Sequence, residues 1–152
     1  MRVFLAHASE DKEVVREIHK KLASMGFSPW LDEIDLLPGQ NWRAEIPRAI
    51  EESDIFVACF SKQSVQKYGY VQQELRLALS IYARKPSNAI FLIPLRLDEC
   101  EIPDLNFYEL GVSLRSIQWQ DIWKPDGFER LVEAIKVEAK KNIFRLEIAR
   151  RS

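Results

Sequence analysis

Apolar residues follow two alternating rhythms along this chain. Short apolar runs at Arg2–Ala6, Phe27–Leu31, Asp54–Phe60, Ala89–Leu95 and Ser116–Trp119 predict strands. Between them, apolar positions recur at the spacing of a helix with one buried face. Val14, Val15, Ile18, Leu22 and Met25 form such a stripe over Asp11–Ser24, with Ser9 as N-cap and Gly26 as C′ residue. Pro29 places the second strand at a sheet edge. Asp32–Asn41 reads as a loop around a Pro38-Gly39 turn. The next helix turns Trp42, Ile46, Ala49 and Ile50 inward, and Pro47 within it calls for a kink or a later start. After a loop over 61–69, a helix begins near Tyr70, with Val71, Leu75, Ala78, Leu79 and Tyr82 on one arc. A loop over Arg96–Glu109 follows the fourth strand. The last helix starts near Pro125–Gly127, its stripe being Phe128, Leu131, Val132, Ile135, Ala139, Ile143 and Leu146.

Strands alternating with helices imply an α/β fold: a flavodoxin-like doubly wound five-stranded parallel sheet with helices on both faces. Such sheets bind ligands outside the carboxyl ends of the strands, near the switch in strand order. Segments 6–11, 31–42, 61–73 and 95–106 reach that edge. Glu74 begins the helix that leaves it, and sits inside that helix's apolar arc. A carboxylate there must be paired, capped or used, because burying it alone is costly. An early acid favoured by the helix dipole is the simplest account; a carboxylate used where a ligand would sit is the sharper one.

Composition narrows the function classes. With 47% hydrophobic and 30% charged residues the chain has an ordinary globular make-up, and its 152 residues suit a single domain. A net charge of −1 removes any bulk electrostatic case for nucleic acid. Cys59 in a strand and Cys100 in a loop imply no disulfide and fit a reducing compartment. Val3–Ala6 is too short for a secretory h-region, and no apolar run approaches a membrane span, so a cytoplasmic location is expected. Glycine-rich phosphate loops, zinc-ligand spacing and a nucleophile elbow are all missing. His19 reads as a surface histidine. His7, ending the first strand, is either a ligand contact or a loop histidine bonded to backbone. Trp30 and Trp42 bracket the second loop, as core packing or as an aromatic wall for a planar ring.

Several segments, in order, resemble the Toll/interleukin-1 receptor (TIR) domain family, bacterial type. Phe4-Leu-Ala-His-Ala-Ser-Glu-Asp11 resembles its first box. Trp30-Leu-Asp32, Leu37-Pro-Gly39 and Trp42 resemble the second strand and the BB loop after it. Ala49-Ile50, Ser53-Asp54 and Phe60-Ser61 match the path through the third strand, and Ile93-Pro-Leu95 the fourth. Tyr70-Val-Gln-Gln-Glu74 resembles the segment holding the family's catalytic glutamate, with Tyr70 where Trp is frequent. Ala6-His7 depart from the usual first box, where an aromatic or basic residue often follows the serine.

The resemblance implies an NAD glycohydrolase that needs no metal or cofactor, NAD being its substrate. Glu74 would be catalytic, with His7, Ala8, Asp35, Leu37, Gly39, Trp42, Ser61 and Tyr70 as substrate contacts. It further implies self-association through TIR–TIR contacts, a fused or bound sensor domain, and a place in antiphage defence. Two rivals stand beside it. One is a non-enzymatic TIR adaptor, in which the BB loop is an interface and Glu74 a structural acid. The other is a nucleoside deoxyribosyltransferase-like enzyme, which shares the sheet class but lacks the BB-loop resemblance. Residues 1–140 are expected to form the TIR domain and 141–152 a helical extension. A second stripe there, Val137, Phe144 and Ile148, is either scattered surface residues or a face for another chain or domain.

Overall fold

A strand sandwiched between two helix layers must be apolar on both sides. The first strand, β1 (Arg2–Ala6), is so: Val3 and Leu5 point to one layer, Phe4 and Ala6 to the other. The structure, a computed structural model, describes residues 1–66 and 70–151, the side chains of 70–72 excepted. Strands β1, β2 (Ser28–Trp30), β3 (Ile55–Phe60), β4 (Leu92–Arg96) and β7 (Gln120–Asp121) pair in parallel in the order β2-β1-β3-β4-β7. This is the expected doubly wound sheet, and β2 with Pro29 lies at its edge.

Helices α1 (Lys12–Ser24) and α5 (Gly127–Arg151) cover one face over Val3, Leu5, Val57, Cys59 and Leu95. Helices α3 (Trp42–Glu52) and α4 (Tyr70–Arg84) cover the other, over Phe4, Ala6, Phe56, Ala58 and Phe60. Beneath α3 and α4 an aromatic row crosses the strands. Trp30 stacks on Phe4 at 5.1 Å, Phe4 on Phe56 at 5.2 Å, and Phe56 leans on Phe91 at 6.5 Å. Trp30 is therefore a packing residue. No helix among the described residues is long and apolar enough to cross a membrane.

Several local expectations change. Ser9 is no N-cap: it lies within a 3-10 turn, Ser9–Asp11, that runs into α1. Val14 and Met25 are exposed, and Val15, Ile18 and Leu22 carry the packing of α1. Part of the loop after β2 winds into one helical turn, α2 (Asp32–Asp35), because Asp35 Oδ2 accepts the Leu31 backbone N–H at 2.7 Å. Helix α3 starts at Trp42, ahead of Pro47 and not after it, since Asn41 caps it by accepting the Arg43 N–H at 3.0 Å.

The fifth sheet strand is not Ser116–Trp119. Leu114–Ser116 is a 3-10 turn, and the chain joins the sheet at Gln120–Asp121, opposite Leu95 and Arg96. A bidentate pair selects that register: Arg96 Nε and Nη2 donate to the two Asp121 carboxylate oxygens at 2.6 and 2.9 Å. An antiparallel pair not foreseen from hydropathy, β5 (Asn106–Phe107) with β6 (Val112–Ser113), closes the segment before it. A Cβ on Gly127 would collide with the Asp121 and Ile122 carbonyls, so glycine lets α5 start against β7. In α5, Leu131, Val132 and Ile135 are buried, whereas Ile143 and Leu146 are about 60% exposed, at 59% and 62%. The core under α5 ends at Glu138, and the predicted stripe outruns it. Val137, Phe144 and Ile148 are also exposed.

Candidate active site

Glu74 lies in the second turn of α4, at a position whose neighbours along the helix, Leu75, Ala78 and Leu79, are core. Its own exposure is 6%. The helical period thus forces a carboxylate into an apolar layer, where an anion is far more interactive than in water. The layer opens there into a cleft of about 440 Å³ between α3 and α4. From α3 it is lined by Trp42, Arg43, Ile46, Pro47 and Ile50, and from α4 by Gln73, Glu74 and Leu77. Ile46, Ile50 and Leu77 make an apolar floor; Trp42, 47% exposed, stands at the rim and not inside the core. The arrangement suits a ligand with a planar ring and an electron-poor centre: the ring against indole, the centre against carboxylate.

The loop feeding α3 is shaped by its turn. Gln40 N–H bonds the Leu37 carbonyl at 3.1 Å across Pro38-Gly39, and Gly39 has φ +88°, the backbone a type II turn demands at that place. Leu37 and Gly39 are exposed and do not line the cleft. Asp35 faces a different groove, beside Trp30, Glu45 and Arg48. The side chain of Tyr70 lies outside the described residues.

His7, Ala8 and Ser61 belong to a second polar centre at the carboxyl ends of β1 and β3, the switch point of the sheet. His7 is buried, with Nδ1 3.2 Å from the Leu5 carbonyl. Ala8 offers its carbonyl to the Asp11 N–H at 2.9 Å. Ser61 and Ser64 tie each other: Ser61 N–H donates to Ser64 Oγ at 2.8 Å and Ser64 N–H to Ser61 Oγ at 3.1 Å. Both hydroxyls face the buried Asp11 carboxyl and act to lower its pKa. Burial raises the Asp11 pKa above the ordinary aspartate value; the Ser61 and Ser64 hydroxyls and nearby His7 oppose this, and Asp98 adds to it. Asp11 Oδ2 has no hydrogen-bond partner among the described residues.

Of the residues named from sequence, the cleft brings together Glu74 and Trp42. Sequence reasoning overlooked Arg43, Pro47, Gln73 and Leu77 as lining. The one available signal was that Trp42-Arg43 open α3 directly behind an asparagine cap.

A parallel sheet of this order, with a carboxylate-bearing cleft on one helix layer, defines a flavodoxin-like α/β domain. The TIR domain family model matches residues 3–132, and the chain belongs to that family. Its sequence is 40% identical over 74 residues to the NAD(+) hydrolase TcpA of Theionarchaea archaeon (strain DG-70-1), a match covering 48% of this chain and 22% of that protein. It is 29% identical over 93 residues to the 2' cyclic ADP-D-ribose synthase BtTIR of Bacteroides thetaiotaomicron, covering 60% of this chain and 31% of that one. The chain thus spans less than a third of these relatives. In fold it is similar to the TIR domain of the Toll-related receptor TRR-2 from Hydra magnipapillata, with a TM-score of 0.67 and 24% identity over 88% of this chain and 97% of that one.

Proposed function

We propose that this TIR domain cleaves the bond between nicotinamide and ribose in NAD. The observation that carries the reading is the buried Glu74 carboxylate beside Trp42 in one cleft. Relatives named as an NAD(+) hydrolase and a cyclic ADP-ribose synthase support it.

As the C1′–N bond breaks, its electron pair returns to the pyridinium nitrogen and neutral nicotinamide leaves. C1′ develops oxocarbenium character, which a fixed carboxylate stabilises. Glu74 holds the ribose hydroxyls and favours that charge. Water then adds to C1′ and gives up a proton, yielding ADP-ribose; attack by a group of the same molecule gives a cyclic isomer. Trp42 supplies a face for a ring. The 35–41 loop flexes over the substrate, with Asp35, Leu37 and Gly39 on it, and His7, Ala8, Ser61 and Tyr70 are further contacts in this reading. Self-association of TIR domains sets the active state, and the chain serves cytoplasmic antiphage signalling in concert with a sensor domain.

The test is nicotinamide release from NAD at high protein concentration, with Glu74→Ala beside the wild type. Release that depends on Glu74 supports the reading. No release even from a chain fused to an oligomeriser would transfer the cleft to an adaptor role, with Glu74 as a structural acid.

A further inference from the structure

The cleft holds a cation as well as its carboxylate. Arg43 lines it from α3 opposite Glu74 on α4. The guanidinium lies over the Trp42 ring, 5.2 Å from its centroid, so the cation and the indole form one surface. The backbone of Arg43 is fixed by the Asn41 cap, which leaves its side chain as the adjustable part. No acidic residue forms an ion pair with Arg43 among the described residues, in contrast to its helix neighbour Arg48, which pairs with Glu45 at 3.5 Å.

An exposed arginine on a ring, facing a cleft that already holds a carboxylate, is placed to neutralise a ligand anion. The ligand anion must lie at a distance from the reacting carbon, because Glu74 demands positive charge there. In a dinucleotide the phosphates are the groups that meet both conditions. We infer that Arg43 reads a substrate phosphate in this cleft, so that the site selects nucleotides and dinucleotides over the corresponding nucleosides. This inference rests on the NAD-cleavage reading for its choice of substrate. A planar guanidinium suits paired phosphate oxygens, which an ammonium meets only as a point charge.

The experiment compares NAD with nicotinamide riboside, which carries the same scissile bond and no phosphate. Arg43→Gln should lower the ratio of kcat/KM for NAD to that for nicotinamide riboside by about tenfold or more, mainly through KM for NAD. Arg43→Lys should recover part of it. A merely structural role would depress both substrates together and leave the ratio in place, and that result overturns the inference. A binding measurement separates this from failure of the cleavage reading. ADP-ribose and adenosine are titrated calorimetrically into the Glu74→Gln chain with and without Arg43→Gln. Loss of ADP-ribose affinity on Arg43→Gln without NAD cleavage by the wild type would retain the phosphate contact and remove the reaction. Equal affinity for ADP-ribose in both chains would remove the phosphate contact whatever the wild type cleaves.

Discussion

Glu74 on α4 and Trp42 on α3 line the same cleft, although neither helix places them there alone. Glu74 is carried inward by the apolar period of α4, and Trp42 is held at the rim by the cap that starts α3. The two side chains make the most direct tests of the site.

Glu74→Ala and Glu74→Gln should each reduce nicotinamide release by about 100-fold or more, the size of effect expected when a group stabilising transition-state charge is lost. Both variants should still melt cooperatively, Glu74→Gln close to wild type because it keeps the shape of the side chain. Release assays alongside circular dichroism melts check this. A folded Glu74→Ala chain with full turnover would take Glu74 out of the reaction.

Trp42→Ala should raise KM for NAD by about three- to tenfold, the worth of one lost ring contact. Stability should fall by less than about 1 kcal/mol, since the ring is already half in solvent. Trp42→Phe should fall between. A large drop in melting temperature with no change in KM would make Trp42 a packing residue like Trp30.

Asp121 ties β7 to β4 through Arg96, and Lys124 approaches it at 3.2 Å. Hydrogen bonds and charge from Arg96, then Lys124, hold the Asp121 pKa below the ordinary aspartate value against the opposing effect of burial. A carboxylate with a lowered folded pKa stabilises the fold above its unfolded value, and that support is lost as pH falls through the folded one. Asp121→Asn should cost about 2 kcal/mol near neutrality and progressively less in acid. Denaturant melts at a series of pH values from neutral downward read the convergence; parallel curves would refute it.

Asp11 has the opposite sign. Its pKa is raised, chiefly by burial, so its protonated form favours the fold. That contribution is fully present below the unfolded aspartate value and disappears as pH rises through the folded one. Wild type should therefore lose stability across that interval, and Asp11→Asn should lose less. Identical pH profiles for the two chains would mean that Asp11 titrates as it does when unfolded.

Both thiols are free and buried. Burial pushes Cys100 up to about 11, with Asp98 adding to the rise, and raises Cys59 further still. Thiolate is the reacting form, so native chain should alkylate slowly at mildly alkaline pH, and denatured chain at once. Mass spectrometry of timed quenches would show it, and rapid native labelling of Cys100 would contradict it.

The alternation of β1, α1, β2, α3, β3, α4 and β4 was legible in the sequence because each element's period is a local property of the chain. The inward position of Glu74 was legible for the same reason: it follows from the helical repeat around Leu75, Ala78 and Leu79. The family followed from segment order. What the sequence could not settle depends on residues distant along the chain. The last sheet strand sits at Gln120–Asp121 because Asp121 meets Arg96, a pairing that apolar runs do not register. Helix α5 keeps its periodic stripe beyond Glu138, but no residue of the helix after Glu138 is buried. His7 and Ser61, grouped with Glu74 by resemblance, lie at the strand ends around Asp11, while the cleft recruits Arg43, Pro47 and Gln73 from the facing helices. Periodicity determined which side of each element is buried; only tertiary packing decided which buried and half-buried side chains share a space.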